Sequence, residues 1–156
     1  MSTRFKMVVV QPNAYKAMFT LDKYIKESSV TPVQREIINI KASQINGCAY
    51  CVNIHSKDAR KLGETEQRIY LMSVWREAPN VFNEEEQLLL EITEEITLIH
   101  QKGLSDRLYD QAIKLWGEEK TAQVIMTIIA INAWNRIGVA AKMSPSKKPE
   151  LSTLIK

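Results

Sequence analysis

The sequence predicts an all-α protein, and three observations carry that prediction. Apolar residues recur at the three-to-four-residue spacing of a helix face, and no stretch alternates as a strand would. Five Gly and five Pro are few for 156 residues, which suits long helices and short connections. Thr, Asn or Ser stands at the head of several periodic stretches, where its side chain can cap the first turn. The pattern predicts about seven helices in a single domain over residues 1–156, with no internal repeat or linker.

Taken in order, Val8-Val9-Val10 reads as a short extended lead-in. Pro12-Asn13 opens a helix to about Ser28, with Ala14, Met18, Leu21 and Ile25 on its apolar face. Thr31-Pro32-Val33-Gln34 predicts a capping box with Pro in the first turn, and that helix runs to about Gln44. Asn46-Gly47 turns the chain into a helix over Cys48 to Leu62, stopped by Gly63. Thr65 caps a segment to about Arg76, with Ile69, Met72 and Trp75 inward, and Ala78-Pro79-Asn80 breaks it. Asn83 followed by three glutamates begins the next helix, because acidic residues complement the positive end of the helix dipole. Its apolar face, Leu88, Leu89, Ile92, Ile96 and Ile99, is expected to continue to Gly103. Ser105 caps a shorter helix closed by Gly117. A last helix from about Glu118 to Met143, apolar nearly all round between Val124 and Ala133, is expected at the centre of the fold or in a subunit interface. Ser144-Pro145 ends it, and a Lys-rich tail follows.

Such a chain can bury roughly 70% of its unfolded surface. Its hydrophobic content is 45% and its charged content 25%, ordinary values for a globular protein. A net charge of +3, with Lys and Arg scattered among Asp and Glu, gives no footprint for nucleic acid. The N-terminus lacks the apolar core of a signal peptide, and the most apolar run is about half the length that spans a bilayer. A cytoplasmic protein without membrane association is expected. In a reducing compartment, paired thiols at Cys-x-x-Cys spacing point to redox chemistry or metal binding rather than to a structural disulfide.

Both cysteines and one of the two histidines fall within Cys48 to His55. On a helix, Cys51 lies roughly 60° from Cys48 and His55 roughly 20° from it, so all three share one stripe. Asn53, Lys57, Arg60 and Lys61 form the opposite, solvated face. On the shared stripe, buried or half-buried, the thiols can form a disulfide and exchange protons with the imidazole. Glu36, twelve residues before Cys48 on the preceding helix, can face the second turn of its neighbour across the tight turn and hold the His55 proton. A thioredoxin-like setting is disfavoured, because a helix rather than a strand precedes the pair. A zinc site needs four ligands; Cys48, Cys51 and His55 supply three and Glu36 a fourth, but no second cysteine pair exists, and neither metal nor cofactor is expected. The reactive species is a thiolate. The helix dipole favours it at Cys48 and the neighbouring imidazole favours it at Cys51, so helix geometry leaves both open. Trp134 reads as core, and Arg136 as an ion-pair or interface residue.

The spacing Glu36-x11-Cys48-x2-Cys51-x3-His55 resembles the alkylhydroperoxidase D family, within the carboxymuconolactone decarboxylase superfamily. Lys41 to Cys51, His55 to Arg60, Gly63-Glu64-Thr65 and Ala130 to Arg136 are similar to its signature, and the likeness runs from about residue 12 to residue 143. The resemblance implies an all-helical subunit that forms homo-oligomers. It implies hydroperoxide reduction through a Cys sulfenic acid and a Cys48–Cys51 disulfide, with a thioredoxin-like, lipoyl or other dithiol as electron donor. By position, Cys51 matches the peroxidatic cysteine, Cys48 the proton donor and resolving thiol, and Glu36 and His55 the proton relay. The chain departs from alkylhydroperoxidase D at Tyr50, which stands where that protein has a further histidine. Two other readings use the same residues or fold: a redox sensor or disulfide-exchange module, and a lyase of the decarboxylase branch. The last leaves the thiols without a task.

Overall fold

The computed structural model describes residues 3–145, and every regular element among them is helical. In order these are α1 (Met7–Val10), α2 (Pro12–Lys26), α3 (Pro32–Ile45), α4 (Ala49–Lys61), α5 (Glu66–Leu71), a 3-10 helix (Met72–Glu77), α6 (Glu84–Thr97) and α7 (Asp106–Ala140). The Lys-rich tail lies outside the described residues, apart from Ser144-Pro145 at its head.

Caps place the principal boundaries. Thr31 Oγ1 accepts from the Gln34 amide while Gln34 Oε1 accepts from the Thr31 amide, which closes the capping box before α3. Asn83 and Glu86 repeat the arrangement before α6. The two motifs satisfy amides that a helix start leaves without partners. Gly117 breaks α7 at φ 75° and ψ 175°, a conformation open to residues without Cβ. The two helices expected to meet at Gly117 are both present, separated by this non-helical residue.

Two helices share the centre of the fold: α7 packs on α2, α3, α4 and α6, and α3 is the more completely buried. Helix α3 packs on α4, α6, α7 and the 3-10 helix, and Ile37, Ile38 and Ile40 are wholly buried. Each such side chain contributes about 1.5–3 kcal/mol relative to exposure. In α7, Val124, Ile128 and Ile131 join this core, whereas Ile129 on the other side is 45% exposed. No helix among the described residues is long and apolar enough to cross a membrane.

Buried charge also ties the core together. Lys41 Nζ lies 2.7 Å from Glu94 Oε1 and donates to the Met72 carbonyl. Trp75 Nε1 and Arg76 Nη1 donate to the same carboxylate. Burial pushes the Glu94 carboxyl up, but the hydrogen bonds from Lys41, Trp75 and Arg76 outweigh it and hold it below the ordinary range.

Several local expectations are corrected. The Val8 to Val10 lead-in is a single helical turn, because the Lys6 carbonyl accepts from the Val9 and Val10 amides. Ala14 is exposed. The segment after Thr65 tightens into the 3-10 helix near Val74, although Met72 and Trp75 do point inward. Helix α6 stops at Thr97 and not Gly103. The chain then folds back, so that Glu95 accepts from the Ser105 amide and hydroxyl, leaving Ile99 exposed.

Candidate active site at the α3–α4 hairpin

The turn into α4 fixes where the cysteines sit. The Gly47 amide donates to the Gln44 carbonyl and the Cys48 amide to the Ser43 carbonyl, the paired bonds of a Schellman motif. Gly47 takes φ 65° to make it. The motif folds Cys48 back over the end of α3 and makes it the N-cap of α4, where its Sγ accepts from the Cys51 amide at 3.3 Å. Cys48 thus lies at the helix mouth and Cys51 inside the first turn. The two sulfurs are bonded to each other, and the residues are 2% and 5% exposed.

One turn beyond Cys51, His55 meets the preceding helix. His55 Nδ1 lies 2.8 Å from Glu36 Oε2, with both side chains half-buried. A carboxylate only accepts, so Nδ1 carries the proton in this pair and Nε2 is the ring nitrogen left for proton exchange. The structure therefore brings Glu36, Cys51 and His55 to one surface, with Cys48 behind Cys51. Among the described residues, no group of three or more His, Cys, Asp and Glu forms a metal-holding cluster.

That surface borders a cavity of about 340 Å³. Glu36, Tyr50, Cys51 and His55 line one side; Tyr15, Phe19 and Asp22 of α2 and Trp134 of α7 line another. Cys48 does not line it. Tyr15 stacks edge-on against both Phe19 and Trp134, with ring centroids 5.1 and 5.0 Å apart. Trp134 Nε1 donates to both Asp22 carboxylate oxygens. Burial, then Tyr50 and Asp22 nearby, push the Tyr15 phenol up. The volume falls in the range of small-molecule sites.

Sequence reasoning missed the walls supplied by α2 and α7. Trp134 packs half-buried against the core and also lines the cavity, and Arg136 is exposed, donating to the Asn132 carbonyl and side chain instead of a carboxylate. Asn135, wholly buried, donates to Ser43 Oγ and accepts from Asn46 Nδ2, which ties the turn before Cys48 to α7. Gly138 was also missed. A Cβ there would sit 3.0 Å from Cys48 Sγ and 3.4 Å from Cys51 Sγ, so its bare backbone makes room for the sulfurs. A lone Gly inside an apolar helix is the signal that marks such a close approach.

The fold and site define an all-helical protein with a Cys-x-x-Cys pair at a helix mouth, backed by a Glu–His pair. The model of the carboxymuconolactone decarboxylase family matches residues 12–95, and the chain belongs to that family. Uncharacterised YdfG of Bacillus subtilis is 43% identical over 140 residues, 90% of this chain and 95% of that protein. Uncharacterised YnjA of Escherichia coli is 30% identical over 69 residues, 44% of this chain and 37% of that one. Among solved structures, a protein of unknown function from Agrobacterium tumefaciens, provisionally assigned to antioxidant defence as AhpD, superposes with a TM-score of 0.89 at 37% identity. That match covers 94% of this chain and all of the other. An uncharacterised peroxidase-related protein from Silicibacter shares the fold, with a TM-score of 0.74 at 23% identity over 88% of this chain and 71% of its own. The chain is AhpD-like in fold and family.

Proposed function

We propose that the protein is a thiol-dependent peroxidase, an oxidoreductase with an antioxidant role. The observation that carries this reading is the placement of Cys51 on the cavity wall beside the Glu36–His55 pair, with Cys48 bonded behind it. In the reduced form the Cys51 thiolate attacks the distal oxygen of a hydroperoxide. The O–O bond breaks, Cys51 becomes a sulfenic acid, and the departing alkoxide takes a proton and leaves as an alcohol. His55 Nε2 suits the transfer of that proton, and Glu36 suits the orientation of the ring and the balancing of its charge. The Cys48 thiol then condenses with the sulfenic acid, forming the disulfide and releasing water. An external dithiol, such as a thioredoxin-like or lipoyl-bearing protein, reduces the disulfide and becomes a disulfide itself. Cytoplasmic placement and self-association as a homo-oligomer belong to the same reading.

The test is a thiol titration of the reduced protein before and after one equivalent of an organic hydroperoxide. Two thiols per chain should disappear, faster than a free thiol reacts, and return with dithiothreitol. Cys51→Ser should abolish peroxide consumption. Thiol loss no faster than that of a free thiol points to disulfide exchange or sensing instead. Decarboxylation of a lactone acid that survives loss of both cysteines points to the lyase chemistry of the family's name.

A further inference from the structure

Three carboxylates line the cavity, and each already has a donor. Asp22 accepts from the neutral Trp134 indole and keeps its charge, whereas Glu36 pairs with His55 and Asp58 with Lys61. Two cations, Lys26 and Arg35, line the same cavity. Neither has a carboxylate within ion-pair distance among the described residues. Arg35 donates from Nη1 to the Val30 carbonyl, a neutral acceptor, which orients the guanidinium without neutralising it. Lys26 closes α2, where a cation also favours the helix dipole; that accounts for its position on the helix but does not supply a counter-charge at the cavity.

The lining fits an amphipathic molecule. Arg35 adjoins Glu36, which meets His55 one helical turn beyond Cys51. Both cations and Cys51 line this one cavity. The rings of Tyr15, Phe19 and Trp134 line the same cavity, an apolar wall of the kind that binds a flat hydrocarbon body.

From this juxtaposition we infer that the site takes amphipathic organic acids bearing a hydroperoxide. Their carboxylate meets Arg35 and Lys26, their apolar body lies on the aromatic wall, and the peroxy group reaches Cys51. The inference rests on the peroxidase reading and specifies its substrate. The chemistry is unchanged: the O–O bond breaks at Cys51, and the product is the corresponding hydroxy acid.

The experiment compares two hydroperoxides of equal shape, cumene hydroperoxide carrying a para carboxylate and its methyl ester. Each is mixed with the reduced full-length protein at low ionic strength, and thiol loss is followed with time. The acid should react about tenfold faster than the ester at limiting concentration, the scale of one charge-assisted contact. Salt should narrow that ratio, because exposed charges are screened. In the double variant Lys26→Gln, Arg35→Gln the acid-to-ester ratio should fall to about one, and Arg35→Lys, which keeps the charge, should retain most of the preference. If the double variant does not fold, Lys26→Gln alone, at an exposed side chain, should lower the ratio part-way. Equal rates for acid and ester in the native protein overturn the inference, as does a ratio that survives neutralisation of both cations. A protein that reduces the ester efficiently without favouring the acid keeps the peroxidase reading and loses this one. A protein inert toward both loses both.

Discussion

Glu36 Oε2 and His55 Nδ1 lie 2.8 Å apart across the α3–α4 hairpin. The Schellman turn at Asn46-Gly47 makes that approach possible by folding α4 back along α3. Because the carboxylate accepts from Nδ1, the imidazole presents Nε2 for proton transfer. Replacing Glu36 with Gln preserves shape but removes the charge that supports an imidazolium. Glu36→Gln should slow thiol oxidation by an organic hydroperoxide about 10- to 100-fold, the usual worth of a positioned acid–base group or its orienting partner. Stopped-flow measurement of the reduced protein decides it, and an unchanged rate removes Glu36 from the relay.

Cys48 and Cys51 should separate in their oxidation products. With Cys48→Ser, the sulfenic acid on Cys51 has no partner thiol. It should persist, react with dimedone, and advance to the sulfinic acid under excess peroxide. With Cys51→Ser, no dimedone adduct should form on Cys48. Mass spectrometry of the two variants after peroxide treatment reads both outcomes; an adduct on Cys48 reverses the assignment.

Gly138 stands against the sulfurs so closely that an alanine Cβ meets Cys48 Sγ at 3.0 Å. In the disulfide the two sulfurs cannot move independently, whereas in the dithiol each can rotate about its own Cα–Cβ bond. Gly138→Ala should therefore destabilise the oxidised protein by about 1–3 kcal/mol, as overpacking does, and the reduced protein by less. Urea unfolding of the two redox forms provides the comparison. Equal losses in both forms contradict the argument.

The Lys41–Glu94 pair makes a pH-dependent contribution to stability. The Glu94 carboxyl is held below its ordinary value of 4.5, so its contribution is fully present above that pH and is lost as pH falls through the lowered value. Glu94→Gln leaves Lys41, 5% exposed, without its counter-charge and should cost about 2–4 kcal/mol at pH 7. The gap between native protein and variant should close below about pH 4.5. Denaturant melts across that range test the sign; a gap that widens on acidification refutes it.

The helices were legible because their ends are written locally. Thr31 and Gln34, Asn83 and Glu86, and Gly47 and Gly63 each act within a few residues of their position in the chain. The cysteine stripe was legible for the same reason, since Cys48, Cys51 and His55 share one helix. Glu36 was within reach because a two-residue turn leaves its helix one way to pack. The aromatic wall was not legible. Tyr15 and Trp134 are more than a hundred residues apart, and helix periodicity marks an apolar face without naming what it packs against. Gly138 was hidden likewise, because its role is a close approach to sulfurs on another helix. The early end of α6 was not legible either: the chain folds back so that Ser105 bonds Glu95, although the apolar pattern runs on to Ile99.

The cavity opens onto Cys51 and leaves Cys48 behind it. Under the proposed chemistry this governs the form of the rate law. A reducing thiolate entering by the same route attacks Cys51 and expels Cys48, which leaves more easily because a helix-mouth amide already points at its sulfur. Oxidant and reductant then share a single approach and alternate at it. Initial rates plotted reciprocally against peroxide at several reductant concentrations should run parallel, the double-displacement pattern. At high concentration the reductant should inhibit by competing with peroxide for the reduced enzyme.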